Sequence, residues 1–270
     1  MSHPKIPAQL ARASHLAALF SAIALGITAA TAGPITYSDN FEGNTINPFW
    51  TITQQLGTVS LSTAQFHSPT HSAGFSSVGG GQRDIRLTHT FGSAVIGDVS
   101  IYYYDTAPGQ ETLYQFLRLT TDEGPNGQLY IGTQDFDAFC YTAAAGILGP
   151  NASCGIFPQY LTTNVPRTLG WHLLDINVQP GNVSFSIDNT QVFTTSGNYT
   201  FNTIDFGESG PGFRPANVTA YFDDFSFVGS TAAVPEPSSL LLCGIAGLAL
   251  LGSYRKQKTI RRKTSSPGSQ

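Results

Sequence analysis

Trp171-His172-Leu173-Leu174-Asp175-Ile176-Asn177-Val178, then Pro180-Gly181-Asn182, then Val183-Ser184-Phe185-Ser186-Ile187-Asp188-Asn189, then Gln191-Val192-Phe193, is the stretch that decides the fold. Leu174, Ile176 and Val178 fall on one side of an extended chain. Val183, Phe185 and Ile187 do the same, with Ser184, Ser186 and Asp188 opposite. Side chains alternate along a strand, so a period of two over both runs predicts paired strands with one buried face. Pro180-Gly181-Asn182 and Asp188-Asn189 supply turn formers at the joints, and the segment reads as a β-meander.

The same pattern extends outward. Ile85 and Leu87, Ile101 and Tyr103, and Leu113, Leu117 and Leu119 recur at even spacing. Short strand signals occur at Trp50 to Thr53, Thr58 to Ser62 and Ala73 to Val78, and Thr219 to Val228 supplies a closing strand. Between Gly33 and Val234 no stretch has a helical period. Many short strands punctuated by turns predict an all-β sandwich or jelly roll. The strand triplet from Trp171, the opening Asp39-Asn40-Phe41-Glu42 and the closing Phe222-Asp223-Asp224-Phe225 resemble concanavalin A-like jelly rolls of the laminin-G type. The resemblance implies the fold and constrains the function little.

The tail is a different unit. Val234-Pro235-Glu236-Pro237 precedes an uncharged apolar run, Leu240 to Leu251, and then Arg255, Lys256, Lys258, Arg261, Arg262 and Lys263. Prolines end whatever precedes, and the flanking small residues extend the run toward a membrane-spanning length. The basic cluster places its side in the cytoplasm. Box, apolar run and basic cluster in this order resemble the PEP-CTERM sorting signal. That resemblance implies processing by an exosortase near the Pro-Glu-Pro box, in bacteria that often make exopolysaccharide. A plain C-terminal membrane anchor is the alternative, and it leaves the box unexplained. At the other end, Lys5 and Arg12, the apolar run Leu16 to Ile27 and Ala30-Thr31-Ala32 form a secretory signal peptide. The expected organisation is a signal helix at 1–32, a β-sandwich ectodomain at 33–229, and a linker with the box at 230–237. A transmembrane helix at 238–254 and a basic cytoplasmic tail at 255–270 follow. The ectodomain is expected in the periplasm first, and at the cell surface or outside the cell after sorting.

Charge bounds the partners. Between Gly33 and Val234 the sequence holds five arginines, no lysine and sixteen acidic residues, a formal charge of −11. That balance excludes a nucleic-acid partner, which needs a basic face. It fits a secreted acidic surface or the binding of divalent cations. Asp39, Glu42, Asp223 and Asp224 form a candidate calcium set if the first and last strands are neighbours, although alternation sends Asp223 and Asp224 to opposite faces. Cys140 and Cys154 bracket a Gly/Ala-rich loop, Tyr141 to Ser153, and a disulfide between them is expected in an exported domain. A metal site there lacks a Cys-x-x-Cys or a histidine pair.

Jelly-roll glucanases carry a Glu-x-Asp-x-x-Glu strand, and neither Glu42, Glu111, Glu123 nor Glu208 forms it. The ectodomain is therefore expected to be non-enzymatic, a surface or matrix component. The alternative is a lectin-like module for exopolysaccharide, with Tyr102 and Tyr104 as candidate sugar-stacking residues and calcium in support. A glycan hydrolase ranks third.

Overall fold

The computed structural model describes residues 33–79, 81–110, 114–121, 127–134, 137–147, 160–210 and 218–232. All belong to the first of the two units into which the chain divides, Met1–Ala232 and Ala233–Gln270. The signal peptide, the Pro-Glu-Pro box, the apolar run and the basic tail lie outside the described residues.

The described chain is all strand and connection, as expected. The strands in order are β1 (Pro34–Asp39), β2 (Thr51–Gln55), β3 (Gly57–Ser62), β4 (Ser72–Ser77), β5 (Arg83–Asp105), β6 (Tyr114–Thr121) and β7 (Gly127–Gln134). They continue as β8 (Asp137–Ile147), β9 (Tyr160–Pro166), β10 (Gly170–Gln179), β11 (Asn182–Ile187), β12 (Thr190–Ser196), β13 (Phe201–Gly210) and β14 (Thr219–Thr231). The quoted meander is β10–β11–β12, antiparallel throughout. Asp188 and Asn189 both take left-handed backbone, φ 50° and 64°, which a tight two-residue hairpin needs.

β5 is the hinge of the architecture. Its first half pairs with β2 and β13, and its second half pairs with β10 and β14. It therefore belongs to two layers. One runs β2–β5–β13–β6–β7–β8–β9; the other runs β14–β5–β10–β11–β12, with β1 and β4 on the far side of β14 and β3 beyond β4. Phe206 of β13 meets Phe222 and Phe225 of β14 at ring-centroid distances of 5.4 and 6.0 Å, so the two layers face each other across an aromatic core. The inward positions of β10 and β11, Leu174, Ile176, Val178, Val183, Phe185 and Ile187, are fully buried there. Burying a large apolar side chain contributes roughly 1.5–3 kcal/mol, so this meander is a main support of the sandwich.

Trp50 is 4% exposed and donates its indole N–H to Asp39 at 2.9 Å. Tyr141, at the start of the expected loop, lies in β8, which continues to Ile147 because its backbone pairs with β7. Cys154 lies outside the described residues, so the expected bridge to Cys140 does too. β13 carries no alternation that the sequence reveals, yet it is an interior strand of its layer, paired with β5 and β6.

Candidate functional site

The outer face of the second layer is a ladder of cross-strand rungs. On β5 the odd positions Val99, Ile101, Tyr103 and Asp105 are buried, while Asp98, Ser100, Tyr102 and Tyr104 are half-buried and face outward. On β10 the outward set is Trp171, Leu173, Asp175 and Asn177. Register assembles them. Tyr221, Tyr104 and Trp171 form one rung, and Asp223, Tyr102 and Leu173 the next. Ser226, Ser100, Asp175 and Ser186 form the third, and Val228, Asp98, Asn177 and Ser184 the fourth. Neighbouring rungs stand about 6.8 Å apart.

The first rung is aromatic across three strands. Tyr104 meets Trp171 edge-on at 5.3 Å and Tyr221 edge-on at 6.2 Å. Tyr102 is placed differently: His67, from the connection between β3 and β4, stacks flat on it at 3.6 Å. His67 is held there by Asp224, 2.6 Å from its Nδ1. Of the two expected stacking residues, Tyr104 thus stands in a half-buried aromatic row, whose Trp171 the His67 ring meets edge-on at 5.8 Å, while Tyr102 lies beneath that imidazole. Trp171, Tyr221 and His67 are additions that sequence reasoning missed. Aromatic rows flanked by hydroxyl and carboxyl groups suit pyranose rings, which offer C–H faces and hydroxyl edges.

The candidate calcium residues divide. Asp39 is taken up by the Trp50 indole and by the Phe41 amide at 2.9 Å. Asp224 is turned to His67. Glu42 and Asp223 do converge, on the 67–71 connection. Glu42 accepts from the Thr70 and His71 amides at 3.0 and 2.8 Å and from the Thr70 hydroxyl. The Thr70 hydroxyl, then the His71 and Thr70 amides, lower its pKa to about 2. Asp223 accepts from the His67 and Ser68 amides at 2.8 and 2.9 Å. Burial raises its pKa, against the pull of those amides. The Ser68 hydroxyl lies 3.2 Å from the Asn40 carbonyl, 3.2 and 3.3 Å from the Asp223 oxygens and 3.4 Å from Glu42. One hydroxyl hydrogen cannot serve all four acceptors. Among the described residues no group of three or more His, Cys, Asp or Glu side chains is arranged to hold a metal ion. The expected four-carboxylate set is therefore two carboxylates, a hydroxyl and a carbonyl.

The opposite layer presents a charged centre. Asp205 of β13 accepts from Arg118 Nε at 2.8 Å and from Arg86 Nη1 at 2.6 Å; Arg86 also donates to Asp84 at 2.6 Å. The Arg118 guanidinium lies 4.7 Å from the Phe116 ring centroid. Glu208, on the same strand, points inward, is fully buried and accepts from Gln115 at 2.9 Å. Asp205 and Glu208 therefore do not share a face, and Glu111 and Glu123 lie outside the described residues.

Comparison with known proteins adds two findings. Residues 233–256 match the PEP-CTERM protein-sorting motif, so the chain is an exported protein that exosortase sorts. No curated protein sequence matches the chain. Among solved structures, the apo Crh5 transglycosylase is similar with a TM-score of 0.51 and 16% identity, over 74% of this chain and 85% of that one. The catalytic domain of an endo-1,3-beta-glucanase (laminarinase) from Thermotoga petrophila RKU-1 reaches 0.50 at 12% identity, over 74% and 99%. A GlcNAcα1-4Gal-releasing endo-β-galactosidase from Clostridium perfringens reaches 0.50 at 14%, over 75% and 64%. At such identities the likeness establishes the jelly-roll fold alone. It also corrects the expectation of a non-enzymatic ectodomain. These neighbours are glycan-cleaving and glycan-transferring enzymes, and a jelly roll of this kind gives no ground for excluding catalysis.

Proposed function

We propose that this exosortase-sorted protein displays a glycan-binding β-sandwich that associates with exopolysaccharide at the cell surface or outside the cell. The observation that carries the reading is the Tyr221–Tyr104–Trp171 rung, three aromatic side chains in register on an outward face. Nothing in the core needs them there: their strands bury Phe222, Tyr103 and Leu174 on the opposite face. The polar rungs below supply hydroxyl and carboxylate partners for sugar hydroxyls. The expected result is that Trp171→Ala lowers retention on polysaccharide by about tenfold, from stacking worth roughly 1.5 kcal/mol. Tyr104→Ala is expected to act in the same direction. Affinity electrophoresis against a panel of polysaccharides measures both. Retention unchanged in both variants would sink the reading.

Calcium enters this proposal as a brace for the 67–71 connection, which carries the His67 cap. Two carboxylates, a hydroxyl and a carbonyl around Ser68 are hard oxygen donors, with water to complete the shell. Millimolar calcium is expected to raise the thermal midpoint, and Glu42→Gln to abolish the rise. An unchanged midpoint with and without a chelator would leave the hydrogen bonds as the whole support of the connection.

A further inference from the structure

The aromatic rung sits on a face dominated by carboxyl groups. Asp98 and Asp175 stand on its lower rungs, Asp223 on its second, and Asp224 and Glu42 beside it. Among the described residues no arginine shares this face. Arg83 and Arg167 are buried, and Arg86 and Arg118 are engaged with Asp205 on the other layer. Apart from the His67 imidazole, which Asp224 already holds, a uronate or sulfated polymer laid along the ladder meets like charge there. The field of the ectodomain, five arginines against sixteen acids, opposes its approach as well.

Asp98 and Asp175 sharpen the argument. Asp175 faces Ser100 and Asp98 lies opposite Asn177, so the two carboxyls are diagonal neighbours on adjacent strands. The Ser186 hydroxyl donates to Asp175 at 2.9 Å from the other side. Burial first, then hydrogen bonding with Asp98 and its charge, raise Asp175 to about 7. Near neutrality Asp175 therefore keeps its proton in part of the molecules, because burial and the neighbouring Asp98 carboxyl disfavour its charge. An ammonium group, a cation that carries its own N–H donors, can take that proton's place.

We infer, resting on the glycan-binding reading, that this face takes polysaccharides bearing free amino groups, with a hexosamine ammonium seated at Asp98 and Asp175 while neighbouring rings reach the Trp171 rung. The exchange balances. The pair passes from one negative charge to two, the ammonium brings one positive charge, and one proton leaves to solvent. Asp175 stands two rung spacings from the aromatic row, about 14 Å, and Asp98 three, about 20 Å, a length for a short oligosaccharide rather than a single sugar.

The test uses the full-length chain and three hexamers: glucosamine, its fully N-acetylated counterpart, and galacturonate. Calorimetry at pH 6.5 in two buffers of different ionisation enthalpy reads affinity and proton release together. The expected result is glucosamine hexamer bound about tenfold more tightly than the acetylated one, with proton release, and galacturonate not bound. Asp175→Asn is expected to erase the difference and the proton release. Asp98→Asn supplies the same test if Asp175→Asn fails to fold. Trp171→Ala is expected to weaken both. Equal affinity for the two glucosamine hexamers, a preference that survives both asparagine variants, or binding of galacturonate would overturn the amine inference and leave the glycan reading standing. Binding of none of the three would overturn both.

Discussion

Replacing Arg167 with methionine is expected to destabilise the ectodomain by about 3–5 kcal/mol, because it strands a buried carboxylate. Asp105 and the Arg167 guanidinium are both fully shielded from solvent, and Arg167 donates from Nε at 2.8 Å and Nη2 at 2.9 Å. The same guanidinium reaches the carbonyls of Ala107 and Gln110, each at 3.0 Å, and so ties the connection after β5 to the exit of β9. Tyr141 adds its hydroxyl to Asp105 at 3.2 Å. Removing the cation leaves Asp105 charged with too few donors. The double variant Asp105→Asn with Arg167→Met is expected to recover part of the loss, since the unpaired charge is then gone. Thermal midpoints should fall by roughly 10 °C in the single variant. A single variant as stable as the parent would show that water reaches Asp105.

Glu208→Gln is expected to do the reverse, and only above acidic pH. Glu208 lies between the layers; Ser77 spends its hydroxyl hydrogen on the Val218 carbonyl at 3.1 Å, so one Glu208 oxygen has no donor. Burial raises its pKa to about 7, against the opposing pull of the Gln115 amide and the Arg83 charge. Unfolded, the group ionises near the ordinary glutamate value of 4.5. Between these values the folded chain keeps a proton that the unfolded chain has lost. Stability from this group is therefore complete below the unfolded value, falls as pH climbs toward the folded one, and levels off beyond it. The accumulated cost at pH 8 is about 3 kcal/mol. Urea unfolding at pH 4 and pH 8 should show the glutamine variant gaining most of that at pH 8 and little at pH 4. Equal shifts at both would exclude the titration of Glu208 as the cause.

Legibility followed burial. β10 and β11 were readable because one face is sealed and the other half-open, so apolar and polar residues alternate without exception from Leu174 to Val178 and from Val183 to Ile187. β13 was not. Ile204, Asp205, Phe206, Gly207 and Glu208 are buried on both faces, Asp205 under two arginines and Glu208 within the core, and alternation of polarity is lost. The site was half legible for a similar reason. Tyr102-Tyr103-Tyr104 announces that outward rings must flank an inward one, and Tyr103 is the buried member. Trp171 and Tyr221 join Tyr104 only through the pairing of strands distant in sequence. The outward phase of Trp171 was nonetheless available in the quoted strand. The calcium set failed in part for a local reason: Asp39 closes its own turn onto Phe41 and Trp50, a side-chain contact that spacing does not encode.

The pairing of the first strand with the last has a consequence in time. Pro34 lies opposite Ser230 and Asp39 opposite Phe225, and β14 also pairs with β4 and β5. A chain emerging amino end first thus holds β1, one edge of β4 and one edge of the second half of β5 without their partner until nearly two hundred residues have appeared. Long-range closures of this kind form late and leave strand edges exposed meanwhile. The sorting motif begins at residue 233, two positions after β14 ends. The strand that seals the sandwich comes just before the signal that commits the protein to sorting, so a chain interrupted before β14 also lacks the signal.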